Sequence, residues 1–421
     1  MKTFIIRAIG ILFISMMTGQ LTSSAQTDDF FTVSGIVKNQ QNKKIVEFAN
    51  VSVGGTNVGT VTNEDGEFTL KIKKSTNAKT IVVSQVGYAN SYAEVSDMGA
   101  GNSVILLKPQ RNLLDEVVIE ASVSRNIVAQ AIRNIRKNYE VKPTLMTGFY
   151  RETARKRNHF INVSEAVVHM FKTGYDVRNA SGDRVQVIKG RKLLSEKGGD
   201  TLAVRLLGGP NLSTYMDVVK NPDDFLDENT LNNYDFKMDK SVYIDRRMQY
   251  VIAFKPTVNL SYALFEGKLF IDKESLAITK IEMSLDMSDK NKVTQTILKK
   301  KPFGLIFKPQ ELNFLISYKE RNGKMCLSYL RNEVRFKCDW KKKLFHTDYG
   351  IISEMVVTDM DDNHIDKISY KESFKEGDSF TDKVRAFYDD NFWGDYNVLA
   401  PTESLDKAVN KLKKQHKEIN N

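Results

Sequence analysis

The alternation of side-chain character from Thr147 onward constrains this chain more than any other feature. Val163, Val167 and Phe171 share parity in one run, and Met248, Tyr250, Ile252 and Phe254 do so in another. Phe265, Gly267, Leu269 and Ile271 lead to a turn at Asp272–Ser275. Ile281, Met283 and Leu285 then return, alternating with Lys280, Glu282, Ser284 and Asp286. Leu312, Phe314, Ile316 and Tyr318 run up to Arg321-Asn322-Gly323, a hairpin signal, beyond which Val334, Phe336 and Cys338 alternate with Glu333, Arg335 and Lys337. A period of two places successive side chains on opposite faces of a strand, so these segments read as antiparallel strands with one wet face. A meander this long and evenly amphipathic is expected to curl into a half-barrel around an apolar interior. Tyr250, Ile252, Phe265, Leu269, Ile281 and Met283 are the expected interior residues, as core or as the lining of a ligand cavity.

A second β region precedes this one. Phe31, Val33, Gly35 and Val37 alternate with Thr32, Ser34 and Ile36, and Thr80–Ser84 and Val104–Leu107 read as further strands. Between them, Ala49–Leu70 reads as two short strands and a tight turn, with glycines 54, 55 and 59 where the chain reverses. Asp65-Gly66, between Val61 and Phe68, predicts a type I′ hairpin, which needs positive φ at both central residues. Short strands at this spacing suit a β-sandwich. The expected fold class is therefore mainly β: an N-terminal β-sandwich followed by a larger curved, half-barrel-like antiparallel sheet with a few helices. The expected boundaries are 1–25 for a signal peptide, 30–108 for the sandwich, 109–124 for a linker, 125–398 for the large β domain with helical insertions, and 399–421 for a basic helix.

The sandwich segment resembles the carboxypeptidase regulatory-like domain, a transthyretin-like sandwich of envelope proteins in Bacteroidetes-type bacteria. The resemblance rests on Ser34-Gly35-Ile36-Val37, Ala49-Asn50-Val51-Ser52-Val53, Gly55-Thr56, Gly59-Thr60-Val61-Thr62, Asp65-Gly66-Glu67-Phe68 and Val86-Gly87-Tyr88. It departs from that family at Ile45-Val46-Glu47, where a proline is usual, and at Asn63, where an acidic residue is usual. Leu114-Asp115-Glu116-Val117-Val118-Ile119 resembles the segment that joins such domains to the plug of TonB-dependent receptors. Roughly 300 residues remain after it, too few for that family's barrel, and lipid-facing strands with aromatic girdles are not evident. Gly267–Asp272 with Leu276–Ile281 resembles the strand pair of periplasmic lipoprotein carriers, whose incomplete barrel holds acyl chains.

Lys2 and Arg7 flank the start of an apolar run, Ala8–Met17, and Ser23-Ser24-Ala25 follows, which is the pattern of a secretory signal cut after Ala25. No cysteine lies beside that cut, so a lipid anchor there is not expected. Export implies a location in the periplasm or at the outer membrane. The formal charge is +10, and +8 without Lys2 and Arg7. This suits either a generally basic surface or attraction to an anionic lipid surface. With no aromatic-basic binding motif, nucleic acid is not an expected partner. Cys326 and Cys338 lie 12 residues apart. On one strand that is about 40 Å, so buried thiols rather than a disulfide are expected.

Helices are expected at Arg125–Glu140 with Ser124 as N-cap, at Asn211–Asn229 (Met216, Val219 and Phe225 facing inward), at Thr381–Asp390 and at Thr402–Asn420. The aromatic run Asn391–Tyr396 is expected to lock the C-terminal segment onto the sheet.

Chemistry-bearing motifs are sparse. None of the five histidines (159, 169, 346, 364 and 416) begins a His-x-x-Glu or His-Glu-x-x-His zinc motif. Gly-x-Ser-x-Gly and phosphate-binding loops do not occur. Glu165 and His169 are four apart, about 13 Å along a strand, too far to share a metal. No metal, cofactor or catalytic residue is expected. The leading reading is a non-enzymatic cell-envelope interaction or accessory protein with the sandwich as docking domain, its partner a TonB-linked receptor or similar envelope protein. The alternatives are a periplasmic carrier of a lipid or other amphiphile in the curved sheet, and a hydrolase without a recognisable motif.

Overall fold

The computed structural model describes residues 30–98, 103–110, 121–200, 202, 204–206, 208–222, 225–340, 346–361, 365–386 and 392–420. The expected signal segment and Leu114–Ile119 lie outside these residues. Seven strands build the N-terminal unit: β1 (Phe30–Asn39), β2 (Asn50–Val53), β3 (Gly59–Val61), β4 (Glu67–Lys73), β5 (Thr80–Ser84), β6 (Ser91–Glu94) and β7 (Ser103–Leu107). They form two sheets, ordered β4-β1-β7 and β3-β2-β5-β6, with β1 and β7 parallel. Val33, Val37, Val51, Phe68, Leu70, Ile81, Val83 and Leu107 fill the space between them.

The type I′ expectation at Asp65-Gly66 is wrong. Only Gly66 has positive φ there, 74°, and β3 and β4 pass into different sheets. Asn63 explains the difference. Its Oδ1 accepts from the N–H of Asp65 (2.9 Å) and of Glu67 (2.8 Å), closing an Asx turn that leads the chain from one sheet to the other.

The second unit contains β8 (Thr144–Lys156), β9 (His159–Lys172), β10 (Arg184–Leu194), β11 (Arg205–Leu206), β12 (Tyr234–Ile244), β13 (Arg247–Pro256), β14 (Phe265–Asp272), β15 (Ile278–Leu285), β16 (Leu298–Lys300), β17 (Leu305–Arg321), β18 (Lys324–Trp340), β19 (Thr347–Asp361) and β20 (Arg385–Ala386). Eleven of these form one open sheet in the order β12-β13-β14-β15-β17-β18-β19-β8-β9-β10-β20. Every pair in it is antiparallel except the two-residue β10–β20 contact. The hairpin read at Asn322-Gly323 is present, with positive φ at both residues (48° and 76°) and Arg321 opposite Lys324. Cys326 and Cys338 are buried on β18 and form no disulfide, and burial pushes the Cys338 thiol up to about 11.

Strand order creates a covering problem that the chain solves in one segment. Among the described residues the short β11 is the one strand between β10 and β12 in sequence, yet they lie toward opposite edges of the sheet. The described residues between 195 and 233 therefore cross the inner face and bury Val204, Val218, Val219, Phe225, Leu226 and Leu231 in the main core. The helix expected over 211–229 reduces to α3 (Leu212–Tyr215) among the described residues. Pro222 disfavours helical geometry at Asn221, and Asp217 and Lys220 are drawn into buried ionic contacts described below.

Ahead of β8, α1 (Ala121–Arg133) and α2 (Ile135–Asn138) pack Val128, Ala131, Ile132 and Ile135 into the same core. Ser124 is buried inside α1 and is not its cap, because the helix starts four residues earlier than its strongest periodicity. α4 (Lys290–Ile297) is capped by Asp289, whose side chain accepts from the N–H of Asn291 and Lys292. The helix expected at Thr381–Asp390 is one turn, α5 (Phe380–Lys383), followed by β20. The open edge of β10 offers ladder hydrogen bonds that win over the helix. Phe387 and Tyr388 lie outside the described residues.

On the outer face, Phe392, Trp393 and Leu399 pack with Phe149, Val167, Tyr329 and Val356, joined by Val61 of the sandwich. Trp393 meets Phe149 edge-on at 5.3 Å. α6 (Glu403–Asn420) lays Leu405, Val409 and Leu412 on Val163 and Leu193. The strap from Phe392 to Leu405 touches both units. Asn397 accepts from the N–H of Lys71 on β4 (2.7 Å) and donates to its carbonyl (3.1 Å), while Asn63 donates to Pro401 O (2.9 Å). Arg331 of β18 completes the join through Glu64 at 2.5 Å.

Candidate binding site

The inner face is apolar along most of the sheet, and one row breaks the pattern. Asn332, Ser353 and Glu152 face one another in register across β18, β19 and β8. Each sits between apolar residues of the same parity: Leu330 and Val334, Ile351 and Met355, Tyr150 and Ala154. Above this row lies a cavity of about 470 Å³, within the range of small-molecule sites. Its apolar wall is Ile161, Leu202, Val204, Val334, Ile351 and Phe380. The crossing segment covers it from one side and the α5 region from the other. Phe380 stacks edge-on against Tyr150 at 4.9 Å, and Asn211 ties the two covers together by donating to Phe374 O at 2.7 Å.

The polar row is incompletely satisfied. Asn332 is 4% exposed, and its Oδ1 has no hydrogen-bond partner. Leaving such an acceptor unpaired costs about 1–3 kcal/mol, and Asn332 borders the cavity. Glu152 is half-buried and lines the cavity. Burial pushes its carboxyl above the usual range, against hydrogen bonds from Tyr150 and the Gly209 N–H. The Tyr150 hydroxyl donates to Glu152 Oε2 at 3.0 Å. Gly209, at φ 89°, has no room for a side chain, since a Cβ would lie 2.7 Å from the Phe374 ring.

At the rim, Asp200 accepts from Ser195 Oγ (2.7 Å), Lys156 Nζ (3.1 Å) and His159 Nε2 (3.3 Å). Burial works against its charge, but these hydrogen bonds outweigh that and hold it down to about 2. Lys299 of β16 forms another part of the rim, where β16 pairs with β11.

A second polar cluster is sealed in the core. Lys172 Nζ lies 2.9 Å from Asp217 Oδ2 and 3.4 Å from Asp183 Oδ2, all three groups almost fully buried. The hydroxyls of Tyr175 and Tyr318 each donate to Asp217 at 2.7 Å. Burial alone would depress the Lys172 ammonium, yet Asp217 and Asp183 keep it above the ordinary lysine value. Lys220 donates to the carbonyls of Gly174 and Val177. This cluster pins the crossing segment to β9 and β17.

The six expected interior residues all reach the main core. Ile252, Leu269, Ile281 and Met283 are buried in it, and Tyr250 and Phe265 pack against it. They lie on β13–β15, and none borders the cavity. The site residues that sequence reasoning missed are Asn332, Ser353 and Glu152. Their signal was present as polar residues at core parity, legible only once the strand order aligns them. Among the described residues, no group of three His, Cys, Asp or Glu side chains is placed to hold a metal, and no helix is long and apolar enough to cross a membrane.

A small β-sandwich joined to an open antiparallel sheet with a cavity on its covered face defines a β-rich protein built around a shared accessory module. Residues 33–119 match the CarboxypepD_reg-like domain. Over 88 residues the chain is 40% identical to the TonB-dependent receptor SusC of Bacteroides thetaiotaomicron, covering 21% of this chain and only 8% of that receptor. Among solved structures, a domain described as an outer-membrane lipoprotein-sorting protein from Vibrio parahaemolyticus is 13% identical, with 57% of this chain and 93% of that one covered at a TM-score of 0.29. A DUF1329 family protein from Desulfovibrio piger is 9% identical, with 56% and 92% covered at a TM-score of 0.22. At these TM-scores neither superposition carries an argument about this chain.

Proposed function

We propose that this is a non-enzymatic cell-envelope protein that holds a small amphiphile in the inner-face cavity. The polar row of Asn332, Ser353 and Glu152, set in register in an otherwise apolar cavity wall, carries this reading. The polar row offers the Asn332 amide and the Glu152 carboxyl to a polar headgroup. The apolar lining of Ile161, Leu202, Val204, Ile351 and Phe380 suits a short apolar tail. Exported chain, purified without detergent and examined by native mass spectrometry, is expected to carry an added mass that extracts into organic solvent. Asn332→Leu keeps the branched outline of the side chain, removes the acceptor, and is expected to lower occupancy about tenfold, a hydrogen bond of ~1.4 kcal/mol. A clean apo mass, with no uptake of added long-chain fatty acid or lysophospholipid, refutes the reading.

The domain shared with SusC favours a second, compatible role in which the sandwich docks on a TonB-linked receptor or another envelope protein. Crosslinking from the exposed Tyr92 of β6 in the native host is the test, and recovery of no envelope protein would count against it.

A further inference from the structure

The most exposed apolar side chain described is not near the sandwich. Phe303 is 102% exposed, at the tip of the connection from β16 to β17, and Lys299, Lys300 and Lys301 precede it with Pro302 between. Ile306, 40% exposed, flanks it on β17, with exposed Lys308 two residues further along. Lys308 is paired to Asp339 at 2.5 Å, and Lys299 lies 3.8 Å from Glu376. Lys301 donates to the Leu305 carbonyl at 2.7 Å. Among the described residues, neither Lys300 nor Lys301 has a carboxylate within ion-pairing distance. The tip is therefore a protruding aromatic ring beside two uncompensated cations.

We propose that this tip seats the protein on an anionic lipid surface, with Phe303 inserted among the acyl chains near the headgroups and Lys300 and Lys301 on lipid phosphates. A protein partner would have to supply a pocket deep enough to take the whole ring. A bilayer surface supplies apolar depth and negative charge together, and interfacial aromatics flanked by lysines use both. Lysine stems can lie along the apolar boundary while their ammonium groups stay at the phosphates. The tip is continuous with the cavity rim, since Lys299 belongs to both. Seating at the tip thus brings the cavity mouth to the lipid surface. The inference stands independently of the cavity's occupant.

The test is co-sedimentation of the full exported chain with vesicles of equal parts phosphatidylcholine and phosphatidylglycerol, against phosphatidylcholine alone. Binding is expected on the mixed vesicles only, weakening with salt. Phe303→Ser is expected to weaken it about tenfold. Lys300→Glu with Lys301→Glu is expected to weaken it at least about 25-fold, at about fivefold for each cation lost. All three positions are exposed, so folding is unaffected, and circular dichroism verifies this. Phe303→Trp places a reporter at the tip, whose emission is expected to shift blue and to be quenched by brominated acyl chains. Equal binding to both vesicle types, variants that bind like the parent, or an unquenched reporter on bound protein would each overturn the proposal.

Discussion

Arg151 is the residue on which the outer-face strap depends. It is 4% exposed. Its Nε donates to Glu165 Oε1 at 2.8 Å, its Nη2 to Leu399 O at 2.6 Å and its Nη1 to Ala400 O at 3.3 Å. Arg191 holds the other carboxylate oxygen of Glu165 at 2.8 Å and lies over the Trp393 ring at 5.0 Å. Removing one partner from a buried ion pair costs about 3–5 kcal/mol. Arg151→Met is expected to cost that much, which is a fall of about 1–1.7 M in urea midpoint at an m-value of about 3 kcal/mol per M. Glu165→Leu strands two guanidinium groups and costs a similar amount. Because the two residues share one contact, the double variant is expected to fall short of the summed single effects by about 2–3 kcal/mol. Trp393 fluorescence is the second readout, shifting red as the strap leaves Phe149. Acid adds a further check. Burial works against the Glu165 charge, but Arg151 and Arg191 outweigh it and lower its folded pKa below 4.5. That stabilisation is complete above the unfolded value and is lost as pH falls through the folded one, so the parent loses an acid-sensitive increment that Glu165→Leu lacks. Single effects that add within about 0.5 kcal/mol would refute the shared clamp. Arg151 would then act through the strap carbonyls alone.

Two other predictions concern the inner face. Burial raises the folded pKa of Glu152 above 4.5, so its contribution is greatest below the unfolded value and is lost as pH rises through that value toward the folded one. The stability of Glu152→Gln relative to the parent is therefore expected to rise between about pH 4 and pH 7 in thermal melts; a constant difference would contradict the assignment. Lys172→Met leaves Asp183 and Asp217 buried without their cation and is expected to cost about 3–5 kcal/mol by urea denaturation. A cost under about 1 kcal/mol would show that water already reaches the cluster.

The strands of the large sheet were legible because burial on one face imposes a period that register cannot blur. Met283 and Leu285 had to face inward together once Ile281 did. The row that makes the candidate site was not legible, because Glu152 and Asn332 are brought together by strand order, and parity alone does not report neighbours. The crossing segment failed for a related reason. Met216, Val219 and Phe225 mimic helical spacing, but they are buried by a chain spanning the sheet, with Pro222 in its course. Asn63 shows the same limit at short range. An Asp-Gly pair suggested one turn, and a side chain two residues earlier imposed another.

The junction between β8 and β19 has a consequence in time. It pairs Tyr150 with Met355, about two hundred positions apart, and contacts that distant form late. As the chain emerges N-terminus first, β8, β9 and β10 can pair among themselves while the free side of β8 waits for a strand not yet made. During that wait Phe149 and Tyr150 flank an unpaired ladder, the kind of edge that recruits other chains. The longest-lived hazard in the life of this molecule therefore precedes its native state, and a holding partner would be of most use before β19 arrives.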